Sequence, residues 1–310
     1  MTHRAAAVWP EALRPSFYFL DLSRPPFAPL FEGVGFVWEA VKEIGPFIQA
    51  MISSRAKETR PSDCPPEMTF HEGMLTVERW VIAPRDLLFP ELLIWIGKGT
   101  CLEPGVLIKS SALIESGAEI RQGAYLRGPV AIGPGAIVGH VTEVKNSVFL
   151  EGAEAGHFAY VGDSLLGRRV NLGAGTKLAN LELRSPREKG KTSRIQLPWE
   201  EGRKRAGAET LDRSEDKGDP GRARSQGRER LGQKTALPLV DGRLDTGLQK
   251  LGAILGDDVE VGCNAVTSPG TLVGPRSWVY PNTTVRKGFY PADHIIRPGA
   301  RDLEVVLRRD

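Results

Sequence analysis

Apolar residues recur at every sixth position through the middle of the chain. The first unbroken run consists of Ile96, Leu102, Ile108, Ile114, Ile120, Leu126, Ile132, Val138, Val144 and Leu150. An α-helix repeats at about 3.6 residues and a strand at about 2, so a sustained period of six predicts a chain that turns after each short strand. Three such segments close one triangular coil with the aliphatic side chains inside. The pattern therefore predicts a mainly β protein, a single-stranded left-handed parallel β-helix.

The same period returns near the C-terminal end of the chain. These positions are Leu255, Val261, Thr267, Val273, Val279 and Val285. Between the two runs, Leu166, Leu172 and Leu178 keep the spacing in a shifted register, because the chain takes five residues from Gly156 to Val161. An irregularity inside a strict repeat is expected where function overrides local regularity. We therefore expect the functional site near residues 156–161.

Glycine follows many of the aliphatic positions, where the corner between two faces needs a small or conformationally permissive residue. These glycines are Gly97, Gly133, Gly139, Gly167, Gly173, Gly256, Gly262 and Gly274. We interpret them as corner residues and not as a phosphate-binding loop. The sequence contains no GxxxxGK[ST], no GxGxxG after a strand, no GxSxG and no HExxH. The corresponding nucleotide-binding, hydrolase and zinc-protease classes are therefore excluded.

The regions outside the repeat suggest a division of the chain. Residues 1–66 are predicted to be a helical extension and linker, and residues 67–298 the β-helix domain, starting with a hairpin around His71-Glu72-Gly73. Residues 299–310 are predicted to be a C-terminal tail. The helical stripe consists of Phe31, Val34, Trp38, Val41, Ile44 and Ile48, with Pro46 interrupting it late. We expect this helix to pack on the side or end of the β-helix.

A charged insertion at residues 184–247 interrupts the β-helix. Lys and Arg outnumber Asp and Glu there, and basic stretches such as residues 222–230 raise the possibility of nucleic-acid binding. We favour a solvated loop, because acidic residues are interleaved and aromatic residues for base stacking are nearly absent. The ends of the insertion, residues 193–197 and 237–243, predict the two arms of a projecting hairpin.

The composition is that of an ordinary globular protein. Hydrophobic residues make up 41% and charged residues 25%, and the net charge of +3 indicates no particular partner. Cys64, Cys101 and Cys263 are too scattered for a disulfide framework or a zinc site. With no leader-like start and no apolar run of membrane length, the sequence predicts a cytoplasmic protein that binds neither membrane nor nucleic acid.

Three ordered motifs between Arg127 and Asn180 resemble a known enzyme family. They are Glu143-Val144-Lys145-Asn146, then Ala155-Gly156-His157-Phe158-Ala159-Tyr160-Val161-Gly162-Asp163, then Val170-Asn171-Leu172-Gly173-Ala174-Gly175-Thr176. This region resembles the acetyltransferase domain of the bifunctional N-acetylglucosamine-1-phosphate uridyltransferase/glucosamine-1-phosphate N-acetyltransferases. The resemblance implies a homotrimer of hexapeptide-repeat β-helices with active sites between subunits. It also implies acetyl transfer from acetyl-CoA to the amine of glucosamine 1-phosphate, in nucleotide-sugar biosynthesis. The uridyltransferase motif has no counterpart in this sequence, so nucleotidyl transfer is not expected.

The resemblance also implies roles for individual residues by their motif positions. His157 corresponds to the general base. The sugar-phosphate contacts are Arg127, Lys145, Tyr160, Asn171 and Lys250. The acetyl-CoA contacts are Ala174, Asn180, Leu181, Cys263, Tyr280, Pro281 and Arg297. Cys263 and Tyr280-Pro281 depart from the serine and alanine corners of the family.

Physical chemistry supports the central roles independently. Amide formation needs a group that removes a proton from the acceptor amine, and histidine titrates in the required range. Arg127 and Lys145 are 18 residues apart, which is one full coil, so both cations are predicted to lie on one face and to bind a phosphate. His157 follows Lys145 by two faces, so we expect a neighbouring subunit to help complete the site.

Two other classes of function stay open. A non-catalytic β-helix would bind a sugar phosphate or a protein as a regulatory or scaffold subunit. A metal enzyme of the γ-carbonic-anhydrase type would need three histidines around a zinc ion, but only His140 and His157 lie inside the continuous repeat. We therefore expect no metal for the acetyl transfer. The acceptor also stays open between glucosamine 1-phosphate, another sugar phosphate and a nucleotide-linked amino sugar.

Overall fold

The protein is a parallel β-helix of about nine coils, which confirms the predicted fold. The structure is a computed structural model, in which residues 11–195, 239–240, 243–299 and 303–308 are described. Each coil crosses three faces in the same order, and each strand pairs in parallel with the strand one coil later. The backbone hydrogen bonds of the strands therefore run along the axis of the helix.

Face 1 is formed by β5 (Ile94–Ile96), β8 (Ala112–Ile114), β15 (Leu165–Leu166), β21 (Ala253–Leu255), β24 (Thr271–Val273) and β27 (Gly288–Tyr290). Face 2 is formed by β6 (Cys101–Leu102), β9 (Glu119–Ile120), β11 (Ile137–His140), β13 (Glu154–His157), β16 (Asn171–Leu172), β22 (Glu260–Val261), β25 (Trp278–Val279) and β28 (His294–Pro298). Face 3 is formed by β7 (Leu107–Lys109), β14 (Tyr160–Gly162), β17 (Lys177–Leu178), β23 (Val266–Thr267) and β26 (Thr284–Val285). Two longer strands bend from face 3 onto face 1: β10 (Tyr125–Ile132) and β12 (Glu143–Phe149).

The inward-facing residues form continuous apolar columns, and the predicted position of the register change is wrong. The register first changes at a five-residue step from Val144 to Phe149, not from Gly156 to Val161, and a second five-residue step, from Val161 to Leu166, repeats this spacing in the next coil. Phe149 pairs with Ile132 and belongs to the interior, whereas Leu150 packs in the apolar cluster outside face 1. The cause is the corner after Lys145, which is one residue shorter than the corresponding corner in the preceding coil. Both Phe149 and Leu150 are buried, so hydropathy alone did not separate them.

The corner glycines are required for close approach and not for conformational freedom. None of the eight predicted corner glycines has a left-handed φ. An ideal Cβ on Gly139 would lie 1.7 Å from the Gly156 carbonyl oxygen, and one on Gly173 would lie 2.5 Å from the Cys263 nitrogen. The following coil therefore occupies the space that a side chain would need.

The N-terminal region packs on the side of the β-helix, which is one of the two predicted placements. It contains helices α1 (Pro15–Tyr18) and α2 (Ala40–Arg55) and 3-10 turns at Ala28–Phe31 and Val37–Glu39. Helix α2 continues past Pro46, because its buried side chains hold it on the outer side of face 1 and offset the hydrogen bond that proline cannot make. It then extends into the predicted linker. The outer apolar cluster on face 1 includes Leu88, Trp95, Leu113, Ala131, Val148, Leu165, Ile254, Leu272 and Phe289.

The last turn of α2 is fixed to the first coils by Arg55. Its guanidinium lies 4.7 Å from the centre of the Trp95 ring and bonds to the Glu115 carboxylate at 2.6 Å. Burial raises the pKa of Glu115, although the hydrogen bond from Arg55 acts in the opposite direction. This contact anchors the end of the helix on face 1.

Antiparallel strands pair with the coil stack at both ends, on all three faces at the first end and on face 2 at the second. At the first end, the predicted hairpin is confirmed as β1 (Met68–His71) and β2 (Met74–Val77), with left-handed φ values of 49° at Glu72 and 73° at Gly73. Strands β2, β3 (Val81–Ile82) and β4 (Leu87–Phe89) then pair antiparallel with β7, β6 and β5. A 3-10 turn at Pro90–Leu92 leads into the first coil.

At the second end, β28 pairs antiparallel with β29 (Leu303–Leu307), which lies in the predicted tail. Strand pairs of opposite direction thus occupy ladder edges on which a further parallel coil would otherwise stack.

The root of the insertion is a small antiparallel sheet. After a 3-10 turn at Pro186–Glu188, β18 (Arg194–Ile195) pairs with β20 (Arg243–Asp245), and β19 (Leu239–Val240) also pairs with β20. The predicted pairing of the two arms is therefore wrong in its partner: the first arm pairs with Leu244 and Asp245, just beyond the second arm, and the second arm pairs with β20 next to it in the chain. The predicted solvated loop falls on residues 196–238, which lie outside the described residues. Among the described helices, none has the length and hydropathy needed to cross a membrane.

Replacing Gly139 by alanine is expected to lower the free energy of unfolding by about 3 kcal/mol, because the new methyl group forces two coils apart. Gly156→Ala is the matched control, since an ideal Cβ on Gly156 meets no atom within 4 Å. Urea unfolding followed by circular dichroism compares the two variants. Equal unfolding midpoints would contradict the close-approach explanation.

Candidate functional site

The corner between face 2 and face 3 carries the predicted general base. We call it the histidine corner, and it consists of His140, His157, Ala174, Cys263 and Pro281. In successive coils, the amide that follows each corner residue donates to the carbonyl of the corner residue one coil earlier. These bonds are Phe158 N to His140 O (2.8 Å), Gly175 N to His157 O (3.0 Å), Asn264 N to Ala174 O (2.8 Å) and Asn282 N to Cys263 O (2.9 Å). Three predicted acetyl-CoA contacts thus follow His157 in one column, at steps of about 4.8 Å.

His157 has an accessible imidazole at the end of β13. It lies opposite His140 on β11, and Phe158 turns the chain with a left-handed φ of 51°. The exposed Phe158 ring contacts the edge of His140 at 5.3 Å between centres. Within the described part of the chain, no hydrogen-bond partner occupies the His157 ring, which is exposed to solvent. A bound ligand can therefore reach this imidazole directly.

Face 3 carries the predicted phosphate-binding cations. Arg127 on β10 and Lys145 on β12 are direct ladder partners, which confirms the prediction that they lie one coil apart on one face. The Arg127 guanidinium bonds to Glu143 at 2.6 Å, and this bond raises the pKa of Arg127. Lys145 Nζ lies 3.4 Å from Asp163 Oδ2. Each cation therefore has a carboxylate from the following coil beside it.

Tyr160 joins these charged groups to the histidine corner. It lies opposite Glu143 in the ladder and three residues after His157. Burial, followed by the nearby Glu143 carboxylate, raises the pKa of the Tyr160 hydroxyl. The hydroxyl therefore stays protonated at neutral pH and donates to Asn180 Oδ1 at 3.3 Å.

Asp163 is the centre of the polar network on face 3. Its carboxylate accepts from Asn146 Nδ2 at 2.7 Å, from Asn180 Nδ2 and from Lys145 Nζ. Only 5% of Asp163 is exposed, so these bonds supply much of the stabilisation that water would otherwise give the carboxylate. We refer to Arg127, Glu143, Lys145, Asn146, Tyr160, Asp163 and Asn180 as the face 3 network.

Lys250 lies beside the face 3 network, where the chain returns from the insertion. Together with Asn146, Asp163 and Lys42, it lines a groove between α2 and the edge of face 3. The exposed ammonium of Lys250 is thus beside the face 3 network, although 89 residues separate it from Val161. The insertion therefore leaves and returns at one corner without displacing this predicted contact.

Other predicted site residues lie away from these two groups. Asn171 is exposed on face 2 and donates to Glu260 at 3.0 Å. Leu181 is 63% exposed where the chain enters the insertion. Arg297 bonds to Glu304 on β29 at 2.8 Å, which raises the pKa of Arg297, and it lies beside Tyr280 near the last coil. Asn180 belongs to the face 3 network and not to the histidine corner.

Sequence reasoning did not single out Glu143 and Asp163, although both lie inside the quoted motifs. The available signal was spacing: Asp163 follows Asn146 by 17 residues, which is one coil in this part of the chain. That spacing became interpretable only once the position of the shorter corner was known. For metal binding, the described residues contain no group of three His, Cys, Asp or Glu side chains suited to hold an ion.

Comparison with known proteins finds similarity to this region of the chain. The family model described as the GMPPB C-terminal domain matches residues 108–185. The bifunctional sugar-1-phosphate nucleotidylyltransferase/acetyltransferase of Sulfurisphaera tokodaii is 29% identical over 151 residues, which are 48% of this chain and 26% of that protein. The bifunctional protein GlmU of Rippkaea orientalis is 35% identical over 102 residues, 28% of this chain and 22% of that protein. The resemblance to these bifunctional proteins is confirmed.

A third relative matches over a shorter segment and at higher identity. The bifunctional protein GlmU of Azotobacter vinelandii is 47% identical over 57 residues, which are 18% of this chain and 13% of that protein. The chain thus matches about a quarter or less of the length of these relatives. Among solved structures, the polysialic acid O-acetyltransferase OatWY aligns over 66% of this chain and 84% of its own, at 13% identity and a TM-score of 0.20. A TM-score this low supports no conclusion.

Proposed function

We propose that this protein is an acyl-CoA-dependent transferase that N-acetylates an amino-sugar phosphate, with His157 as the general base. One observation carries the proposal: the open histidine corner is joined, through Tyr160, to a face that presents Arg127 and Lys145. A proton acceptor and two fixed cations are the groups that acylation of a phosphorylated amine needs. The acetyltransferase activity named for the Sulfurisphaera tokodaii relative supports the same reaction type.

The proton transfer follows from the chemistry of amide formation. The acceptor amine binds as the free base, and its nitrogen attacks the carbonyl carbon of the acetyl thioester. His157 takes the proton that the nitrogen loses as the C–N bond forms. The C–S bond then breaks, and the departing thiolate takes the proton back from the imidazolium. Histidine suits both transfers because its protonation changes near neutral pH.

The acceptor phosphate is proposed to bind at the face 3 network. Arg127 presents a planar guanidinium and Lys145 a point charge one coil below it, so a phosphate would bridge two successive coils. Glu143 would release part of its bond to Arg127 when the phosphate binds. The neutral Tyr160 hydroxyl and Lys250 supply further donors at the same edge.

The acetyl donor is proposed to extend along the histidine corner from His157 past Ala174, Cys263 and Pro281. His157, Cys263 and Pro281 are exposed along this column, and a linear chain such as the pantetheine arm of acetyl-CoA could follow it from coil to coil. Asn180, Leu181, Tyr280 and Arg297 stay proposed donor contacts. We further propose that the active unit is a homotrimer, in which an adjacent subunit supplies contacts such as Asn171.

His157→Ala is expected to lower kcat/KM by a factor of about 100 to 10,000, the usual contribution of a general base. Release of free thiol from acetyl-CoA in the presence of glucosamine 1-phosphate measures the rate. His71→Ala is the matched control, because His71 is an exposed histidine in the terminal hairpin. Equal rates for the wild type and His157→Ala would overturn the role of His157.

Arg127→Met is expected to raise the KM for glucosamine 1-phosphate more than about tenfold, because a charge-assisted contact to the phosphate is lost. The KM for glucosamine without phosphate should change little. Arg121→Met is the matched control, since Arg121 also bonds a neighbouring carboxylate, that of Glu119, at 2.8 Å but lies outside the face 3 network. A parallel rise in KM for both sugars would contradict a phosphate contact.

The alternative function, a non-catalytic β-helix that binds sugar phosphate, predicts a different result in the same assays. It is favoured by one observation: Arg297, the proposed CoA phosphate contact, is already paired with Glu304. Binding of glucosamine 1-phosphate without any release of thiol from acetyl-CoA would support this alternative and reject the transferase.

A further inference from the structure

We infer that Asp163 is a positioning residue for the phosphorylated acceptor: it holds Lys145 where the phosphate binds. This inference rests on the acceptor site proposed above. Asp163 makes no proposed contact with substrate itself. Its effect is carried by the side chains that its carboxylate holds, namely Lys145, Asn146 and Asn180.

The contact between Lys145 and Asp163 orients the ammonium and leaves N–H donors available for a ligand. The separation of 3.4 Å is long for a charge-assisted bond, whereas Asn146 bonds the other carboxylate oxygen at 2.7 Å. A lysine ammonium has three donors, and Asp163 is its single polar partner within the described part of the chain. The Lys145 ammonium can therefore face Asp163 with one N–H and an incoming phosphate with another.

Asp163 is itself fixed in place by the backbone. Its side chain is only 8% exposed, its φ of 48° is left-handed, and its amide donates to the Lys145 carbonyl at 2.9 Å. Carboxylate and ammonium thus come from directly hydrogen-bonded coils. A rigid anchor of this kind lowers the conformational entropy that Lys145 loses when it binds a ligand.

The same residue ties the root of the insertion to the acceptor site. Asn180, where the chain departs, donates to the Asp163 carboxylate and accepts from Tyr160. The Gly252 amide, where the chain returns, donates to the Asp163 carbonyl at 2.9 Å. An ideal Cβ on Gly252 would lie 2.0 Å from the Gly162 oxygen, so this return is closely packed. Asp163 therefore bonds to the chain both where it enters the insertion and where it returns, next to Lys145.

Asp163→Asn is expected to weaken glucosamine 1-phosphate binding about tenfold, because a neutral amide no longer attracts the Lys145 ammonium. Isothermal titration calorimetry on the full chain measures the affinity independently of turnover. Affinities for acetyl-CoA and for glucosamine without phosphate should stay within about twofold, a pattern that a general loss of structure would not produce. In the Lys145→Met background, Asp163→Asn should cause no further loss.

Asp258→Asn is the matched control, because Asp258 also has a left-handed φ, of 60°, and pairs with a cation one coil away, Arg169, at 2.6 Å. It should leave sugar-phosphate affinity unchanged. Unchanged affinity in Asp163→Asn, equal losses for all three ligands, additive losses in the double variant, or no binding by the wild type would each overturn the inference. If the wild type binds the sugar phosphate but releases no thiol, the transferase proposal fails while the affinity of Asp163→Asn still decides the role of Asp163.

Discussion

Parallel hydrogen bonding between successive coils is the constraint on which the rest of this structure depends. It places each residue directly beside the residue one coil later, so positions 17 or 18 apart in sequence become neighbours. Burial of the inward columns then stabilises the stack, at about 1.5–3 kcal/mol for each fully buried Leu or Ile. Through this ladder, residues that are isolated in sequence, such as Arg127 and Lys145, become a pair with a shared function.

The ladder also explains why the two parts of the site differ in character. At the histidine corner, backbone bonds align the residues, and the His157 side chain has no hydrogen-bond partner among the described residues. On face 3, the side chains bond to one another through Asp163 and Glu143. The first arrangement keeps a base accessible. The second holds the side chains of Arg127 and Lys145, which would adopt several conformations if they had no carboxylate partner. Tyr160 connects the two because it begins the face 3 strand only three residues after His157.

The sequence was sufficient to predict the coil, its three-faced repeat, the terminal hairpin and the alignment of Arg127 with Lys145. These features depend on period and spacing, which hydropathy records directly. It misplaced the shorter corner, because Phe149 and Leu150 are both apolar and both buried, one inside the coil and one outside it. The importance of Asp163 was also hidden, since its contacts come from the preceding coil and from both sides of the insertion in the following coil.

The antiparallel strands at both ends have a consequence for the length of the coil stack. Parallel coils can in principle be added without limit, and each new coil would lengthen every surface column by about 4.8 Å. The antiparallel partner β2 occupies the edge of face 3 at the first end, and β29 occupies the edge of face 2 at the second, so the column along face 2 ends at β28. The histidine corner therefore has a set length after His157. The number of coils between His157 and Arg297 therefore fixes the distance between two groups of one ligand that bind at these residues.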